Sequence, residues 1–484
     1  MPRFLIVLLF TEMWERFSYY GMRALLVLFL TSELGFSDPK AYGIYSLMSA
    51  LCFSGPMIGG FLADKLLGFR KMVIIGGITM VLGHALMALI PLSSNIIFVG
   101  LSLIAVGMGL FKGNISNLLG TCYSTEDPKR DKAFTLFYVS VNIGSTLATL
   151  ACAYTAKMYG WHWGFALAGI GMMAGLIIFV TNNNLFAHDK PPRTTPFKIT
   201  KNLSITPTQL VATLTVMLAI MVSFMLLKYD VYTKLIYVVG IATVLYLANL
   251  LRTLPAHEQG GVALLFTLAI FQMLFFAVEI QLGSLYNLFT QRNVDFQLFG
   301  FMLPAAVSQT INPLSIMLMG PLMAMIFSKY CKGRVLTRFN FGLLTLVMSF
   351  ATIYLGCKNA SDSGLVGIHY LIISISFMGF GELCIAPLML NQCTLLAPKR
   401  LRGMLMGVNM LSLAFSSLAG NLISSFMSID NSTEGSQDTI ATLAVYSEGF
   451  FKLLTFALIA LAAFLCITLY FKFKPSPSLT RQAV

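Results

Sequence analysis

Apolar stretches long enough to cross a lipid bilayer recur along the whole chain, and they constrain the fold more than any other feature. Hydrophobic residues make up 57% of the 484 residues, and charged residues make up 11%, against roughly 25% in soluble domains. Fourteen segments have the length and apolar character that a transmembrane helix needs. They are residues 4–31, 41–63, 72–92, 95–119, 133–157, 163–182, 207–227, 232–252, 261–290, 298–328, 335–356, 364–396, 403–428 and 445–471. We therefore predict an all-α polytopic membrane protein.

The basic residues indicate how these spans are oriented. With a cytoplasmic N-terminus, 22 Lys and Arg residues lie at inner loops and span ends, and 7 lie at outer ones. The remaining three, Arg16, Arg23 and Lys112, lie within spans. Because cytoplasmic loops carry the excess of Lys and Arg, we expect both termini to be cytoplasmic. The net charge of +13 then needs no nucleic-acid partner, since the basic residues are spread through short loops.

A polar segment divides the spans into groups. Residues 183–206 contain Pro191, Pro192 and Pro196 and are predicted to form a cytoplasmic linker. Residues 1–182 hold six spans, residues 207–260 hold two extra helices, and residues 261–484 hold six more. The predicted plan is therefore six plus two plus six.

The first span is unusually rich in charge. At about 100° per residue, one broad helix face holds acids, cations and phenols. They are Glu12, Glu15, Arg16, Tyr19, Tyr20 and Arg23. A charged side chain at the bilayer centre costs roughly 2.5–3.5 kcal/mol on insertion scales, so it is retained where it faces protein or water. This face is predicted to line a polar cavity.

The charges within the spans do not balance. The acids are Glu12, Glu15, Glu279 and Glu382, and the bases are Arg16, Arg23 and Lys112. One negative charge in excess suits a carboxyl group that takes up a proton, and Glu12 and Glu15 are the best candidates. The bases belong to the first six helices, whereas Glu279 and Glu382 belong to the last six, so a zwitterion fits between them. The alternative is a set of static ion pairs that fix helix packing.

Two motifs narrow the class further. Residues 59–71 (GGFLADKLLGFRK) resemble the loop motif of the major facilitator superfamily, and residues 328–334 resemble a degraded copy in the second half. Residues 12–21 (EMWERFSYYG) resemble the ExxERFxYYG signature of the proton-coupled oligopeptide transporter family. Other segments resemble the same family in order, at residues 137–145, 309–314, 381–383 and 396–398. The two extra helices are similar to those of its bacterial members.

This resemblance implies a major facilitator fold of 14 transmembrane helices, with two pseudo-symmetric halves around a central cavity. It implies a proton-coupled symporter that imports di- and tripeptides by alternating access and needs no cofactor besides the coupling proton. We expect the proton-coupling residues to be Glu12, Glu15, Arg16 and Glu279. We expect the substrate-binding residues to be Tyr19, Tyr20, Arg23, Lys112, Tyr138, Asn142, Glu279, Asn312 and Glu382.

The chain departs from the family pattern at four positions. Ile280 separates Glu279 from Gln281, Gly113 replaces a proline, Phe53 replaces a tyrosine, and Asn409 replaces a tryptophan. These departures concern substrate selectivity.

Other functions stay open. A major facilitator transporter for another small zwitterionic or anionic solute is one alternative, and a peptide-sensing membrane receptor is another. We do not expect an enzyme, because the sequence shows no metal-ligand cluster and no nucleophile triad. The expected partners are di- and tripeptides, protons and membrane lipid, with no nucleic acid. We expect a functional monomer and, from the resemblance, a multi-pass protein of the bacterial inner (plasma) membrane.

Overall fold

The structure is a computed structural model, and it is almost entirely helical. It describes residues 1–89, 93, 95–124, 127, 129–192, 195–198, 204–298, 300–330, 334–398, 400–429 and 438–473. The helices of the N-terminal part are α1 (Arg3–Ser32), α2 (Asp38–Leu62), α3 (Phe69–Ala88), α4 (Ile96–Thr121), α5 (Lys129–Tyr159), α6 (Trp161–Thr181), α7 (Pro207–Leu227) and α8 (Tyr229–Thr253). The others are α9 (Ala256–Glu279), α10 (Leu285–Asn293), α11 (Ile311–Tyr330), α12 (Val335–Lys358), α13 (Ile368–Leu396), α14 (Arg402–Ser425) and α15 (Thr439–Phe473).

The helices follow the apolar segments of the sequence. Within the ranges given above, 13 helical segments are long and apolar enough to cross a membrane. Each matches one predicted span. The remaining predicted span, 4–31, corresponds to α1, which is 30 residues long but too rich in charged residues to be counted with the other 13.

Two predicted spans are less regular than expected. The span predicted at 261–290 is broken: α9 ends at Glu279, a 3₁₀ turn covers Ile280–Gly283, and α10 follows. Ser284, between the 3₁₀ turn and α10, has a non-helical backbone, with φ −124° and ψ −88°. The span predicted at 298–328 begins instead with the strands β4 (Gln297–Leu298) and β5 (Phe301–Met302), and a 3₁₀ turn at Ala305–Thr310 leads into α11.

The chain divides into two compact units. The first unit comprises Met1–Phe29 and Leu47–Val231, and the second comprises Leu30–Ser46 and Tyr232–Val484. Helix α7 is therefore grouped with the first six helices, and most of α8 with the last six.

Glycine contacts bring the helices of the first unit close together. A Cβ atom added to Gly76 of α3 would lie 2.6 Å from the carbonyl oxygen of Gly107 in α4. A Cβ atom added to Gly55 of α2 would lie 2.8 Å from Cα of Gly109, also in α4. Since only glycine lets two backbones approach this closely, these residues set the positions of α2, α3 and α4.

The first part of the predicted linker is ordered against the first unit. Asp189 accepts a hydrogen bond of 2.7 Å from the backbone N–H of Arg70, in the first turn of α3. Strands β1 (Phe197–Lys198) and β2 (Ser204–Ile205) then pair in antiparallel register, Phe197 opposite Ile205. Residues 193–194 and 199–203 of this linker, and residues 331–333 of the predicted motif copy, lie outside the described residues.

The start of α7 shows how the sequence begins a helix after the linker. The Thr206 hydroxyl accepts from the backbone N–H of Gln209 at 3.2 Å, and the Gln209 side chain accepts from the backbone N–H of Thr206 at 3.0 Å. This reciprocal capping satisfies two backbone donors, and Pro207 occupies a first-turn position that needs no donor.

Two further strands pair within the second unit. Strand β3 (Val294–Asp295) runs parallel to β6 (Val366–Gly367), with Val294 opposite Val366. This pairing ties the end of α10 to the start of α13, the helix that carries Glu382.

Candidate functional site

A buried ionic cluster lies on α1 in the first unit. The Arg16 Nε atom contacts Glu15 Oε2 directly and lies 3.3 Å from Glu12 Oε1, one helical turn away. Glu15 is fully buried, and Glu12 and Arg16 are nearly so. One guanidinium is thus shared by two carboxylates, and this bonded triad carries a net charge of −1 when all three groups are ionised.

The triad keeps unused hydrogen-bonding capacity. Among the described residues, Glu12 Oε2, Glu15 Oε1 and Arg16 Nη2 are buried and have no hydrogen-bond partner. A buried polar atom without a partner costs about 1–3 kcal/mol, and more when it is charged. Such atoms persist at functional sites, where another species can satisfy them.

The other signature residues of α1 hold the helix in place. A Cβ atom added to Gly21 would lie 2.6 Å from Cys152 Sγ of α5, so α1 and α5 touch closely at this point. Trp14 and Phe17 point the other way and pack on α6, where Gly171 and Gly175 leave room for their side chains. The signature therefore has a polar half that forms the cluster and an apolar half that fixes its position.

Lys112 of α4 extends the cluster. Its charge lies within electrostatic range of Arg16, Glu15 and Glu12. Its ammonium group is 5.0 Å from the ring centroid of Phe53 in α2, a cation–π distance. Within the described part of the first unit, Lys112 has no carboxylate at ion-pair distance. Phe53 thus offers a ring face at a position where the family has a tyrosine.

The remaining predicted residues of α1 lie beside the triad. The Arg16 guanidinium carbon is 5.6 Å from the ring centroid of Tyr19, and that of Arg23 is 5.6 Å from the ring of Tyr20. The two phenol rings meet edge to face at 5.3 Å. Tyr19 is buried in the unit, whereas Tyr20 is half-buried, so Tyr20 is the more accessible of the two.

The two predicted residues of α5 differ in exposure. Tyr138 is 41% exposed, and Asn142 is 6% exposed. The Asn142 amide donates to the backbone carbonyl of Tyr138 at 2.9 Å, within the helix. This bond leaves one amide hydrogen and the amide oxygen of Asn142 for other interactions.

The second unit brings two predicted residues together. Asn312, in the first turn of α11, donates through Nδ2 to Glu382 Oε2 of α13 at 3.2 Å. Asn312 Oδ1 is buried and has no hydrogen-bond partner among the residues that the structure describes. A Cβ atom added to Gly379 would lie 2.7 Å from Oδ1, so this glycine lets α11 and α13 approach each other. The result is a half-buried carboxylate held by an amide.

Glu279 is the last residue of α9, immediately before the break. The inserted Ile280 is buried. The side chain of Gln281 makes two hydrogen bonds within the second unit. Gln281 Nε2 donates to the carbonyl of Ala277 at 3.0 Å, and the Ser284 hydroxyl donates to Gln281 Oε1 at 2.9 Å. The hydrogen bonds of Gln281 stabilise the 3₁₀ turn. Glu279 is half-buried.

The other departures from the family pattern also have visible surroundings. A Cβ atom added to Gly113 would meet Pro56 of α2 at 3.5 Å, an ordinary contact. Asn409 of α14 is buried, and its Oδ1 has no hydrogen-bond partner within the described ranges.

One polar contact in the first unit was not predicted from the sequence. The Ser18 hydroxyl of α1 and Nε2 of His84 in α3 are 2.6 Å apart, and both residues are fully buried. Ser18 lies about one helical turn after Glu15, and this spacing could have indicated that Ser18 is on the same side of α1. No pattern in the sequence pointed to His84 as its partner. As for metals, no group of three or more His, Cys, Asp or Glu side chains in the described ranges could hold an ion.

Comparison with known proteins places the chain among peptide transporters. Residues 70–441 match the POT family. The chain is 32% identical to dipeptide and tripeptide permease A of Klebsiella pneumoniae (strain 342), over 93% of this chain and 89% of the relative. It is also 32% identical to dipeptide and tripeptide permease A of Escherichia coli (strain K12), with the same coverage.

Solved structures agree with this similarity. The crystal structure of tetrameric PepTSo2 superposes with a TM-score of 0.85 at 28% identity, covering 97% of this chain and 98% of that one. A crystal structure of a POT family transporter in complex with 5-aminolevulinic acid gives a TM-score of 0.82 at 27% identity, covering 98% and 97%. By sequence and by fold, this chain belongs to the POT family.

Proposed function

We propose that the protein is a proton-coupled symporter that imports di- and tripeptides by alternating access. Membership of the POT family supports this function, as do relatives that are named dipeptide and tripeptide permeases. The observation that carries the proposal is the sharing of Arg16 by two buried carboxylates, Glu12 and Glu15.

Charge balance links the proton to the peptide. The triad of Glu12, Glu15 and Arg16 is balanced by the ammonium group of Lys112 while no substrate is bound. A peptide carboxylate that binds Lys112 takes up this positive charge and leaves the triad at −1. In a membrane interior, an unbalanced charge is costly. A proton on Glu12 or Glu15 restores neutrality, so proton and peptide bind together.

The two ends of the peptide go to groups of opposite sign. We assign the carboxylate to Arg23 and Lys112, since a guanidinium and an ammonium both bind carboxylates. We assign the peptide ammonium group to Glu382, whose carboxylate Asn312 orients. We assign Glu279 to both substrate binding and proton coupling. Donors and acceptors for the peptide backbone come from Tyr20, Tyr138, Asn142 and Asn312. Tyr19 packs against the ring of Tyr20. Contacts to the backbone and termini let one site accept many short peptides.

In this proposal the two halves move around a site near the midplane. In the course of this movement, Arg23 with Glu279 and Lys112 with Glu382 are the candidate ion pairs for which proton and peptide compete. The halves are residues 1–182 and 261–484, with the linker at 183–206 and the two extra helices at 207–260. The gradient supplies about 2.3 kcal/mol per charge per 100 mV and about 1.4 kcal/mol per pH unit, which suffices for accumulation.

The protein is a multi-pass membrane protein with permease relatives in bacteria. We propose that it lies in the inner membrane with both termini in the cytoplasm, surrounded by lipid, and that a single chain is the working unit. Impermeant labelling of a cysteine introduced at each terminus, in intact cells and in permeabilised cells, tests the orientation.

Uptake into proteoliposomes tests the function. Labelled dialanine should accumulate under an inward proton gradient and only equilibrate without one. Trialanine should compete, whereas free alanine and glucose should not. Absence of accumulation by folded protein, or competition by glucose, would contradict the proposal.

The coupling assignment needs a variant and a matched control. Glu15→Gln should abolish uphill uptake and retain counterflow exchange, because it removes the titrating group and keeps the shape. Glu448→Gln is the control, since Glu448 is an exposed carboxylate that pairs with Lys452. Uphill uptake by Glu15→Gln at the level of the control would overturn the assignment.

A further inference from the structure

A groove on the first unit lies away from the triad and is not used in the proposed transport cycle. It has a volume of about 520 Å³ and runs between α4 and α7. Phe98, Val99 and Leu103 form one wall. Val216, Ile220 and Phe224 lie on the other wall, and Asn95 and Ser223 are the polar residues of the lining.

The position of the groove decides what surrounds it. Both α4 and α7 are long and apolar enough to cross a membrane. Val216, Ile220 and Phe224 are each more than half exposed in the structure. Side chains that are apolar and exposed on a membrane-spanning helix face acyl chains, so the groove opens toward lipid.

The length of the groove matches one leaflet. From Val216 to Leu227, α7 rises about 16 Å at 1.5 Å per residue, which is about half of the 30 Å hydrocarbon core. The groove therefore extends from the end of α7 to about the bilayer midplane. A single acyl chain of one leaflet covers this depth.

Polar groups gather where the groove reaches the end of α7. Asn95 immediately precedes α4, is exposed, and makes no capping bond to that helix. Leu227 ends α7, and the next residue, Lys228, is exposed. An ammonium group at this level suits a phosphate, because cationic side chains near the membrane surface attract lipid phosphates.

We propose that this groove is a specific phospholipid site, in which one acyl chain lies between α4 and α7 and the phosphate binds at Lys228. An acyl chain satisfies the apolar walls, and the headgroup satisfies the polar end. The site joins α7, the first of the two extra helices, to the six-helix bundle through a lipid. This inference does not rest on the transport function.

Native mass spectrometry of the full-length protein tests the proposal. Protein that has been stripped of lipid is titrated with dioleoyl phosphatidylglycerol. The wild-type chain should bind one molecule more tightly than all later ones. The double variant Val99→Phe/Ser223→Phe fills the groove and should bind this first lipid about tenfold more weakly, a change of about 1.4 kcal/mol.

Matched controls separate the groove from the general surface. Met217→Phe places a phenyl ring at an exposed position of α7 that is not part of the lining, and it should bind as the wild type does. Lys228→Gln should weaken the first lipid, whereas Lys234→Gln, at an exposed position on α8, should not.

Several results would overturn the proposal. In the first, the filled variant binds the first lipid as tightly as Met217→Phe does. In the second, the wild type shows no preferred first lipid. In the third, the wild type self-associates and the filled variant does not. If the filled variant does not fold, a phosphatidylglycerol with a photoreactive acyl chain is used on the wild type. Cross-links should then fall within residues 98–103 and 216–224, and labelling spread evenly over the helices would reject the site.

Discussion

Arg292 of α10 donates two hydrogen bonds to Asp38, the first residue of α2. Nη1 donates to Oδ2 at 2.7 Å, and Nη2 donates to Oδ1 at 2.8 Å. Nη1 also donates to the Tyr446 hydroxyl at 3.0 Å, and Asp38 accepts from the backbone N–H of Ile429 at 3.0 Å. The segment Leu30–Ser46, which belongs to the second unit, is therefore bonded to α10, to α15 and to the chain just after α14.

This ion pair should contribute strongly to stability. Burial acts to lower the pKa of Arg292, but its hydrogen bonds with Asp38 and the negative charge of that residue raise the pKa above its ordinary value. The guanidinium therefore stays charged. Since Asp38 is fully buried, Asp38→Asn leaves this charge without its partner, which costs about 3–5 kcal/mol in buried pairs.

Thermal unfolding of the purified protein measures this cost. Asp38→Asn should lower the Tm clearly, and the double variant Asp38→Asn/Arg292→Gln should recover part of the loss, because the uncompensated charge is gone. Glu448→Gln, which breaks an exposed pair, should change the Tm little. An equal Tm for Asp38→Asn and Glu448→Gln would show that the pair is not stabilising.

Two adjacent glycines of α2 should respond differently to the same substitution. A Cβ atom on Gly59 would run into the carbonyl oxygen of Gly109 in α4, whereas a Cβ atom on Gly60 has nothing within 4 Å. Gly59→Ala should destabilise the protein by about 1–3 kcal/mol through overpacking. Gly60→Ala should be neutral or slightly stabilising, because alanine favours a helix. Unfolding of both variants by heat checks this, and equal effects would contradict the packing.

The helices could be predicted from the sequence, and their irregularities could not. Long apolar segments require helices in a membrane, so each predicted span corresponds to a helix of the structure. The break after Glu279 was missed because apolar residues recur through residues 280–289, although Gln281, Ser284 and Asn287 interrupt them. The 3₁₀ turn at Ile280–Gly283 and the non-helical backbone of Ser284 separate α9 from α10, and the pattern of apolar residues encodes neither.

In the candidate site, too, contacts within one helix could be predicted from the sequence and contacts between helices could not. The helical periodicity of α1 predicts that Glu12, Glu15 and Arg16 share one face, and the contacts of Arg16 agree. The bond between Asn312 and Glu382 depends on how α11 packs on α13, which spacing along one helix cannot give. Asp38 and Arg292 are 254 residues apart and resemble ordinary loop charges in the sequence, so their pairing was not predicted.

Cys122, which follows α4, should be a slow nucleophile. Partial burial and the charge of Asp189 raise the pKa of its thiol to about 11, against the effect of its hydrogen bond with Thr121. The thiolate is the reactive form, so its fraction should rise about tenfold per pH unit below that value.

Mass spectrometry of alkylated protein measures the reactivity of Cys122 between pH 7 and pH 10. Asp189→Asn should increase the rate at each pH, because it removes a negative charge and keeps the acceptor for Arg70. Asp131→Asn, in the first turn of α5, is the control and should have no effect. Fast labelling at pH 7 in the wild type would contradict the burial of this thiol.

Asn312 should orient the Glu382 carboxylate for the peptide ammonium group. Asn312→Ala removes one hydrogen bond, worth about 0.5–1.5 kcal/mol, so the KM for dialanine should rise about 2- to 13-fold. N-acetyl-dialanine, which has no ammonium group, should be affected much less. Asn359→Ala, at an exposed amide that bonds Tyr370, is the matched control. An equal effect on both peptides would mean that Asn312 acts on helix packing instead.

Lys112 should bind the carboxylate end of the peptide, because its ammonium group faces the Phe53 ring and has no carboxylate at ion-pair distance in the described first unit. A charge-assisted hydrogen bond contributes about 1.5–3 kcal/mol, so Lys112→Gln should raise the KM for dialanine about 10- to 100-fold. Counterflow exchange, which needs no proton gradient, measures this KM. Lys132→Gln, at an exposed lysine of α5, should leave it unchanged.

Dialanine amide separates substrate binding by Lys112 from other roles. The amide lacks the carboxylate, so the wild type should bind it more weakly than dialanine. In Lys112→Gln this preference for dialanine should be much smaller, and Arg23 accounts for what remains of it. The two losses should therefore not add, as expected for groups in direct contact. If Lys112→Gln weakened the amide as much as the free peptide, the lysine would not contact the carboxylate. Its charge would then act on the triad of Glu12, Glu15 and Arg16, and proton coupling rather than peptide affinity would be the property that it sets.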